Sequence, residues 1–471
     1  MNFLKATLLI SVCCIFNACS SVKYTEDTLP YPKNIIIFIG DGMGYNHILA
    51  ANYYEHGEAN SQVYEQNDWV KFAMATYNAV LEIQGGDTIF AGGYNPYKAW
   101  TDSEYLKTGH TDSGAGATAI STGKKTFDRS IGIGIFGDTL THISEIAKKL
   151  GKSIGVATTV PISHATPAGF LTHNVNRDNY EEIAKSLLFR SYADIIMGSG
   201  NPDYNNSGKE YNSKAKYVGG RELWDQLLIN DQRLQFVLGE DTFYVKDANG
   251  DGKPDPWHLI QTREEFISLI ENPLHNRILG VAQAYNALQS NREFINEEFL
   301  PYDNPFNENV PQLKEMTQAT LSILSKNKNG FFAMIEGGTI DWASHDNYSQ
   351  RTIEEQIEFN NAIKAAVEWV EKYSSWEETL IIVTADHECG YLTGPSHPQI
   401  VNSKVKNTGK GNLPLMKWNS TDHTNQLVPF FAKGPGAELF EIFADEYDPK
   451  RGPFIQNTEI AQLIFLLWGK R

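Results

Sequence analysis

The chain has 471 residues, of which 41% are hydrophobic and 21% charged, and its formal net charge is −17. A chain of this length can bury the core of one large domain or of two smaller ones. Its acidity argues against a nucleic-acid backbone as partner, because the two surfaces would repel each other. A phosphate ester would be repelled in the same way, so an anion site must be made locally positive, most simply by bound cations.

Residues 1–18 have the pattern of an export signal. Lys5 provides a short positive region, 6–16 an apolar run, and 16–19 a cleavage site. Cys19 at that boundary resembles the lipidated first residue of a bacterial lipoprotein, and an ordinary secretory signal is the alternative. We therefore expect export to the periplasm or cell envelope, a tether over 19–32, and membrane attachment only through Cys19.

The four cysteines are divided by this signal. Cys13 and Cys14 would leave with it and Cys19 would carry the lipid, so Cys389 alone remains in the mature chain. No intramolecular disulfide can then form. The core, together with any bound metals, must provide the stability.

Short apolar runs alternate along the chain with amphipathic helical patterns. The runs predict buried strands at 34–39, 153–158, 331–335, 380–384 and 427–432. The helical patterns cover 140–150, 179–189, 313–325 and 352–373. This alternation predicts an α/β fold with a mostly parallel central sheet and helices on both faces. No linker or internal repeat divides the chain, so we expect a single large domain with surface insertions at 200–260 and 388–421.

The segment Thr111–Ala119 combines a hydroxyl, a carboxylate and a run of small residues at a predicted helix start. Small side chains would let a ligand approach the backbone N–H groups there, where anions are favoured. Ser113 is not in a G-x-S-x-G elbow and has no adjacent base. As a nucleophile it would need activation by a metal. The alternative is that the small residues only pack against the sheet.

Carboxylates and histidines follow several predicted strands, at the edge where open α/β sheets bind ligands. Asp41 lies among three glycines, although such an Asp is often only a helix cap. Asp341 and His345 are four residues apart, so on a helix they share a face and can share an ion. Asp386 and His387 follow an all-apolar strand, and their alternative is a hydrogen-bonded pair that closes a turn.

Together these side chains, with His423 before the next apolar run, contain enough ligands for two zinc-type sites. Glu336, with a hydroxyl such as Thr166, supplies a harder oxygen site suited to magnesium. Two cations about 4 Å apart can clamp the attacking and leaving oxygens of a phosphoryl group. That arrangement would activate Ser113 without a histidine base.

At this point the chain resembles the alkaline phosphatases, from about Lys33 to Gly469. The matching segments are 40–44, 111–119, 164–167, 336–345, 384–387 and 423–424. The resemblance implies a bacterial, metal-dependent phosphomonoesterase with Ser113 as its nucleophile. It implies hydrolysis of phosphate monoesters at alkaline pH through a phosphoseryl intermediate, at a centre of two zinc ions and one magnesium ion.

The resemblance also implies a role for each ligand. The first zinc would be held by Asp341, His345 and His423, the second by Asp41, Asp386 and His387, and the magnesium by Asp41, Thr166 and Glu336. Arg177, an ordinary loop residue by sequence alone, falls where the family has the arginine that grips two phosphate oxygens. Homodimers are typical of the family, but no interface can be identified in the sequence.

Asp112, His164 and Trp342 border this predicted centre. His164 stands where some bacterial members have Asp, and Trp342 stands where others have Lys or His. Neither difference removes a predicted ligand. Both lie beside the phosphate and the magnesium, so we expect altered magnesium affinity and pH optimum, and weaker retention of the phosphate product.

The segment Asp247–Asp255 matches the front of a calcium loop, with Gly252 in the sixth position. Its candidate ligands are Asp247, Asn249, Asp251 and Asp255. His258 occupies the twelfth position, where Glu would normally complete the site. An Asp- and Asn-rich turn without an ion is an equal alternative.

Two other functions stay open at this stage. A phosphodiesterase or sulfatase could use the same fold, although Arg177 and the predicted magnesium ligands favour a substrate group with three free oxygens. A non-catalytic metal- or phosphate-binding lipoprotein is the other alternative, and the retained Ser113 argues against it.

Overall fold

A computed structural model of the chain describes residues 29–84, 87–90, 92–273, 277–294, 300–395 and 401–469. The predicted signal at 1–18, the predicted lipidation site Cys19 and residues 19–28 of the predicted tether lie outside the described residues. Within the described ranges, no helix combines the length and apolar character needed to cross a membrane.

The strands of the described residues are numbered in chain order. They are β1 (Asn34–Gly40), β2 (Val70–Ala75), β3 (Leu81–Gln84), β4 (Asp87–Phe90), β5 (Ser153–Pro161), β6 (Ile195–Ser199), β7 (Gln235–Leu238), β8 (Asp241–Tyr244), β9 (His258–Ile260), β10 (Ile278–Val281), β11 (Phe331–Gly337), β12 (Thr379–Thr384), β13 (Glu388–Cys389), β14 (His423–Thr424), β15 (Val428–Lys433), β16 (Glu446–Asp448) and β17 (Gly452–Gln456).

The α-helices are numbered in the same way. They are α1 (Tyr45–His56), α2 (Lys98–Thr101), α3 (Ser113–Thr122), α4 (Ile143–Lys149), α5 (Ala165–Leu171), α6 (Tyr180–Phe189), α7 (Arg221–Ile229), α8 (Arg263–Glu271), α9 (Leu313–Leu324), α10 (Thr339–His345), α11 (Ser349–Tyr373) and α12 (Thr458–Trp468).

One large sheet contains eleven of these strands, in the order β16-β17-β2-β15-β12-β1-β11-β5-β6-β10-β9. The seven neighbours from β12 to β9 are parallel. β15 runs antiparallel to both β12 and β2. Helices flank the sheet, so the prediction of a single α/β domain with a mostly parallel central sheet is confirmed.

The centre of the sheet is the most deeply buried part of the molecule. Every residue of β1, β11 and β12 is buried. A parallel strand covered on both faces has no solvent side, and it therefore reads as a continuous apolar run. The same burial fixes the carboxyl ends of these three strands, which position the candidate site.

All five predicted strands and all four predicted helices are present, with shifted ends. β15 runs in the direction opposite to that expected from simple β-α-β alternation. Its beginning, not its end, lies at the edge where β12 finishes. The sequence analysis also missed β2, β16 and β17, which lie beyond β15 on one side of the sheet. The predicted insertion at 200–260 contains a hairpin of β7 and β8, and it adds β9 to the rim of the sheet.

Candidate active site

The predicted ligands meet at the carboxyl edge of the central strands. Asp41 directly follows β1, Glu336 is the penultimate residue of β11, and Asp386 and His387 follow β12. Asp341 and His345 lie in α10, and His423 lies in β14, which pairs with β13. The structure thus brings together residues that are up to 382 positions apart in the sequence.

Two glycines allow these segments to approach one another. Gly42 has a φ of +75°, and a Cβ there would lie 2.7 Å from the Cα of Asp341. A Cβ on Gly116 would lie 3.0 Å from the Cβ of Asp386, so α3 packs its small face directly against the ligand loop. The small residues of Thr111–Ala119 therefore pack closely, and this packing brings Ser113 to the site, where its role as a nucleophile stays a prediction.

Three side chains converge on one point in the first set. Asp341 Oδ2 and Oδ1 lie 3.3 Å and 3.4 Å from the Nε2 atoms of His345 and His423, and these two nitrogens are 3.1 Å apart. Donors bound tetrahedrally to zinc at normal bond lengths are roughly 3.3–3.5 Å apart. These separations match the edges of a zinc tetrahedron.

The outer nitrogens of the same two imidazoles fix their orientation. His345 Nδ1 lies 2.6 Å from the carbonyl oxygen of Thr421, and His423 Nδ1 lies 2.8 Å from that of Thr111. A carbonyl only accepts, so each Nδ1 carries the proton and donates. In the neutral form that binds a metal, each Nε2 would therefore present its lone pair to the shared point.

A second set surrounds His387. Its Nε2 atom lies 3.4 Å from Asp41 Oδ1 and 3.4 Å from Asp386 Oδ2. The His387 ring stacks on His423 with centroids 3.6 Å apart, so the two sets are adjacent. Ser113 Oγ also lies 3.4 Å from His387 Nε2, so the hydroxyl has the spacing of a further donor in this set.

Glu336 and Thr166 form a third group beside Asp41. Glu336 is fully buried, and its Oε2 accepts a hydrogen bond of 2.5 Å from Thr158. Burial raises the pKa of Glu336 to about 8, while the hydroxyls of Thr158 and Thr166 oppose the shift. An all-oxygen group of this kind suits a hard cation such as magnesium.

The buried carboxylates carry more negative charge than the neighbouring cationic side chains compensate. Burial, with repulsion from nearby carboxylates, raises the pKa of Asp41 well above its usual value and that of Asp386 to about 7. Both oxygens of Asp41, Asp386 Oδ2 and Glu336 Oε1 are buried without a hydrogen-bond partner among the described residues. Burying hydrogen-bond acceptors without a partner costs free energy unless a cation binds them. The ligand atoms present therefore fit metal ions.

Arg177 is the cationic side chain that borders the centre. Its Nη1 donates to Asp112 Oδ2 at 2.8 Å, and its Nη2 lies 3.4 Å from His164 Nε2. Burial opposes ionisation of Asp112, but Arg177 still holds the pKa of that carboxyl below its usual value. Asp112 is also the N-cap of α3 and accepts from the Ala115 amide. One carboxylate therefore orients both the helix that begins with Ser113 and the arginine.

His164 and Trp342 lie together at the rim of this centre. Their rings are 5.4 Å apart in an edge-to-face arrangement. Burial and the charge of Arg177 lower the pKa of His164 to about 3, so its imidazole is neutral. The structure thus places His164 beside Arg177 and Trp342 beside His164, and their effect on phosphate and magnesium stays a prediction.

Sequence reasoning missed two residues of the site. Cys389 lies with Asp341, His345 and His423, because the pairing of β13 with β14 sets it opposite His423. His47 is buried, and its Nε2 lies 3.1 Å from Ser344 Oγ while its Nδ1 accepts from the Gly44 amide. The position of Cys389 two residues after His387 could have indicated the first, but no local pattern indicated His47.

The candidate calcium loop has a different character. Asp247 accepts hydrogen bonds from the amides of Gly250 and Gly252, and Asp251 accepts one from the Lys253 amide. Asn249 and Asp255 are bonded to each other and to further amides of the loop. These hydrogen bonds are the ones expected of a turn without an ion, and calcium binding there stays a prediction.

Comparison with known proteins places this site in a family. The family model described as alkaline phosphatase matches residues 32–412. Alkaline phosphatase 4 of Bacillus subtilis (strain 168) is 26% identical in a gapped alignment of 495 positions, which covers 92% of this chain and 88% of that protein. The alkaline phosphatase of Escherichia coli (strain K12) is 27% identical in a gapped alignment of 452 positions, which covers 88% of this chain and 84% of that protein.

Solved structures agree with this assignment at the level of the fold. The cold-active alkaline phosphatase of the psychrophile Shewanella sp. superposes with a TM-score of 0.61 at 24% identity, over 92% of this chain and 99% of that one. A histidine-to-aspartate variant of the TAB5 alkaline phosphatase, with magnesium bound in its M3 site, gives 0.60 at 22% identity, over 94% and 99%. The chain therefore belongs to the alkaline phosphatase family and is a phosphomonoester hydrolase.

Proposed function

We propose that this phosphomonoesterase works through a phosphoseryl intermediate on Ser113, at a centre of two zinc ions and one magnesium ion. The position of Ser113 Oγ carries the proposal. It lies as far from His387 Nε2 as the oxygens of Asp41 and Asp386 do, at 3.4 Å. The hydroxyl thus completes a donor set instead of pointing into the protein core.

The chain's own residues divide into three binding groups. Asp341, His345 and His423 would hold one zinc ion, Asp41, Asp386 and His387 the other, and Asp41, Thr166 and Glu336 the magnesium ion. When bound, these ions neutralise the buried carboxylates, lower the pKa of the Ser113 hydroxyl and of the attacking water, and stabilise charge on the transferred group. The magnesium in the M3 site of the TAB5 variant supports a third position in this family.

The first chemical step forms a bond between Ser113 Oγ and phosphorus while the bond from phosphorus to the ester oxygen breaks. The serine proton is lost to solvent, and the ester oxygen leaves as the alcohol after it takes up a proton. Water then attacks the phosphoseryl group, which restores the hydroxyl of Ser113 and releases inorganic phosphate. Alkaline pH favours both steps because each nucleophile must lose a proton.

Arg177 and the start of α3 orient the phosphoryl group. The planar guanidinium can bind two of its oxygens, while Asp112 holds the arginine in place. The free N–H groups at the first turn of α3 favour an anion beside Ser113. A phosphate monoester has enough free oxygens to use both, whereas a diester has one fewer.

A comparison of monoester and diester hydrolysis tests the reaction class. We expect kcat/KM to be far higher for p-nitrophenyl phosphate than for bis-p-nitrophenyl phosphate. Equal rates, or a preference for the diester, would assign the chain to a phosphodiesterase function. A Ser113→Ala variant that retains its metals and its full turnover would show instead that the hydroxyl has no role.

Trp342 provides a finer test of phosphate retention. We expect the Trp342→Lys variant to bind the phosphate product several-fold more tightly, because it adds a cation beside His164 and next to Asp341 in the chain. The measurement is the inhibition constant of inorganic phosphate, with p-nitrophenyl phosphate as substrate. An unchanged constant would contradict the proposed effect of Trp342.

Export and lipid attachment complete the proposed function. A phosphatase anchored through Cys19 to the cell envelope would release phosphate from external esters before uptake. We expect the full-length protein to fractionate with membranes. We also expect mass spectrometry to show that a Cys19→Ala variant carries no lipid. A Cys19→Ala variant that fractionates and weighs as before would show that Cys19 is not the anchor.

A further inference from the structure

A second cluster of metal-ligating side chains lies outside the candidate active site. His142 is the N-cap of α4, Glu145 lies in its first turn, and His173 follows α5. One ligand atom from each of the three lies within 4.8 Å of the other two. No step of the proposed reaction uses these residues.

His142 is the unusual member of this cluster. Its residue is 1% exposed, and neither ring nitrogen has a hydrogen-bond partner among the described residues. Glu145 Oε2 lies 3.6 Å from Nδ1, beyond hydrogen-bond distance. Burial lowers the pKa of His142, which favours the neutral ring with its free lone pair. A buried polar ring of this kind requires a partner.

His173 faces His142 with a fixed ring orientation. The two ring centroids are 4.4 Å apart. His173 Nε2 donates to the carbonyl oxygen of Leu140 at 2.7 Å, which leaves Nδ1 as the nitrogen that can bind an ion. Both rings pack against Gly132, where a Cβ would lie 2.7 Å from His142 Nε2 and 2.8 Å from His173 Cδ2. The glycine thus leaves room for the pair of imidazoles.

Glu145 supplies the charge that the cluster needs. The start of a helix carries partial positive charge, which disfavours a cation unless a carboxylate compensates it. Glu145 Oε2 accepts a hydrogen bond of 2.9 Å from the amide of His142, which holds the carboxylate beside the two rings. Glu145 and His173 also line a cavity of about 470 Å³, next to Glu182 and Arg190. Solvent in this cavity can complete the coordination of an ion.

We propose that His142, Glu145 and His173 form a zinc site that is separate from the catalytic centre. Two imidazoles and one carboxylate are a donor set that zinc prefers, with water in the remaining position. The ion would join two segments of the chain, the start of α4 and the loop after α5. The same loop is already paired with a third segment, since the backbone of Ile131 pairs with that of Asn174, next to His173. The same loop continues to Arg177, so the site would hold the phosphate-binding segment to the start of α4.

The test is the zinc content of the purified full-length protein, dialysed against zinc buffered in the micromolar range and measured by mass spectrometry. We expect the His142→Thr and Glu145→Gln variants to contain one zinc ion fewer per chain than the wild type. Both replacements can retain the cap of α4, since Thr is a good N-cap and the Gln oxygen can still accept from the amide of residue 142. His56→Ala, which removes an exposed histidine 3.1 Å from Glu55, is the matched control.

Two results would overturn the proposal. One is an unchanged zinc content in either variant that retains the wild-type circular dichroism spectrum. The other is an equal loss in the His56→Ala control, which would indicate weak binding at the surface. The same loss of one ion in an Asp386→Asn background would confirm that this site and the catalytic centre bind independently, whatever the catalytic centre itself contains.

Discussion

The carboxylates at the carboxyl edge of the sheet and those of the Asp247–Asp255 loop are the same kind of side chain in opposite situations. At the edge, both oxygens of Asp41 and one of Asp386 are buried without a hydrogen-bond partner in the part of the chain that the structure describes. In the loop, Asp247 and Asp251 accept hydrogen bonds from nearby backbone amides. The loop is a complete turn by itself, whereas the buried edge requires cations.

The difference shows which feature of a carboxylate cluster indicates a metal. Spacing along the sequence does not separate the two regions, because both match a known ligand pattern. Burial without partners does separate them, because an ionised buried carboxylate without a partner costs free energy that a bound cation offsets. A loop that already satisfies its own oxygens would have to exchange those hydrogen bonds for an ion.

Matched substitutions in the two regions give the largest expected effect. We expect Asp386→Asn to remove one zinc ion and to lower kcat/KM by more than about a hundredfold, because loss of an outer hydrogen-bond partner alone costs 10–100-fold. Asp251→Asn should leave metal content and kcat/KM unchanged. Equal losses in the two variants would erase the distinction between the regions.

Two arginines allow the same comparison between a mostly buried and an exposed side chain, now for positive charge. The Arg177 side chain is 14% exposed and pairs with Asp112, while that of Arg129 is 53% exposed and pairs with Asp178. We expect Arg177→Ala to weaken phosphate inhibition roughly ten- to a hundredfold, since hydrogen bonds to charged groups contribute about 1.5–3 kcal/mol. Arg129→Ala should change it less than about twofold, as is usual for an exposed ion pair. A larger effect at Arg129 would contradict the assignment of Arg177.

The smallest expected effect concerns a buried cation away from catalysis. The Lys125 ammonium has no hydrogen-bond partner among the described residues and lies 3.9 Å from the centre of the Tyr77 ring. Burial lowers its pKa from 10.5 to about 7. Between these values the unfolded chain binds a proton that the folded chain lacks, so the free energy of unfolding rises with pH.

We therefore expect Lys125→Met to flatten this rise by about 1–3 kcal/mol between pH 7 and 10 in denaturant titrations. Lys107→Met, which removes an exposed lysine paired with Glu104, is the control. A pH profile of Lys125→Met that coincides with the wild type would show that the buried ammonium does not titrate in this window.

The sequence predicted the parallel core well because its strands are buried on both faces, and their residues are apolar without interruption. It did not predict the direction of β15, which depends on pairing with β12 and β2 and has no local pattern. The closeness of Asp341 and His345 was predictable from helical spacing. Cys389 was indicated only by its position two residues after His387. The pair of His142 with His173 was not predictable, because only tertiary packing places these residues beside each other.

The central claim is that Ser113 is phosphorylated only when the donors around His387 hold their metal. The direct measurement is acid quenching during turnover of p-nitrophenyl phosphate, followed by peptide mass spectrometry. We predict phosphate on Ser113 in the metal-replete enzyme, and none after chelation or in the Asp386→Asn variant. Phosphate on a different residue, or on Ser113 in the chelated enzyme, would contradict the account.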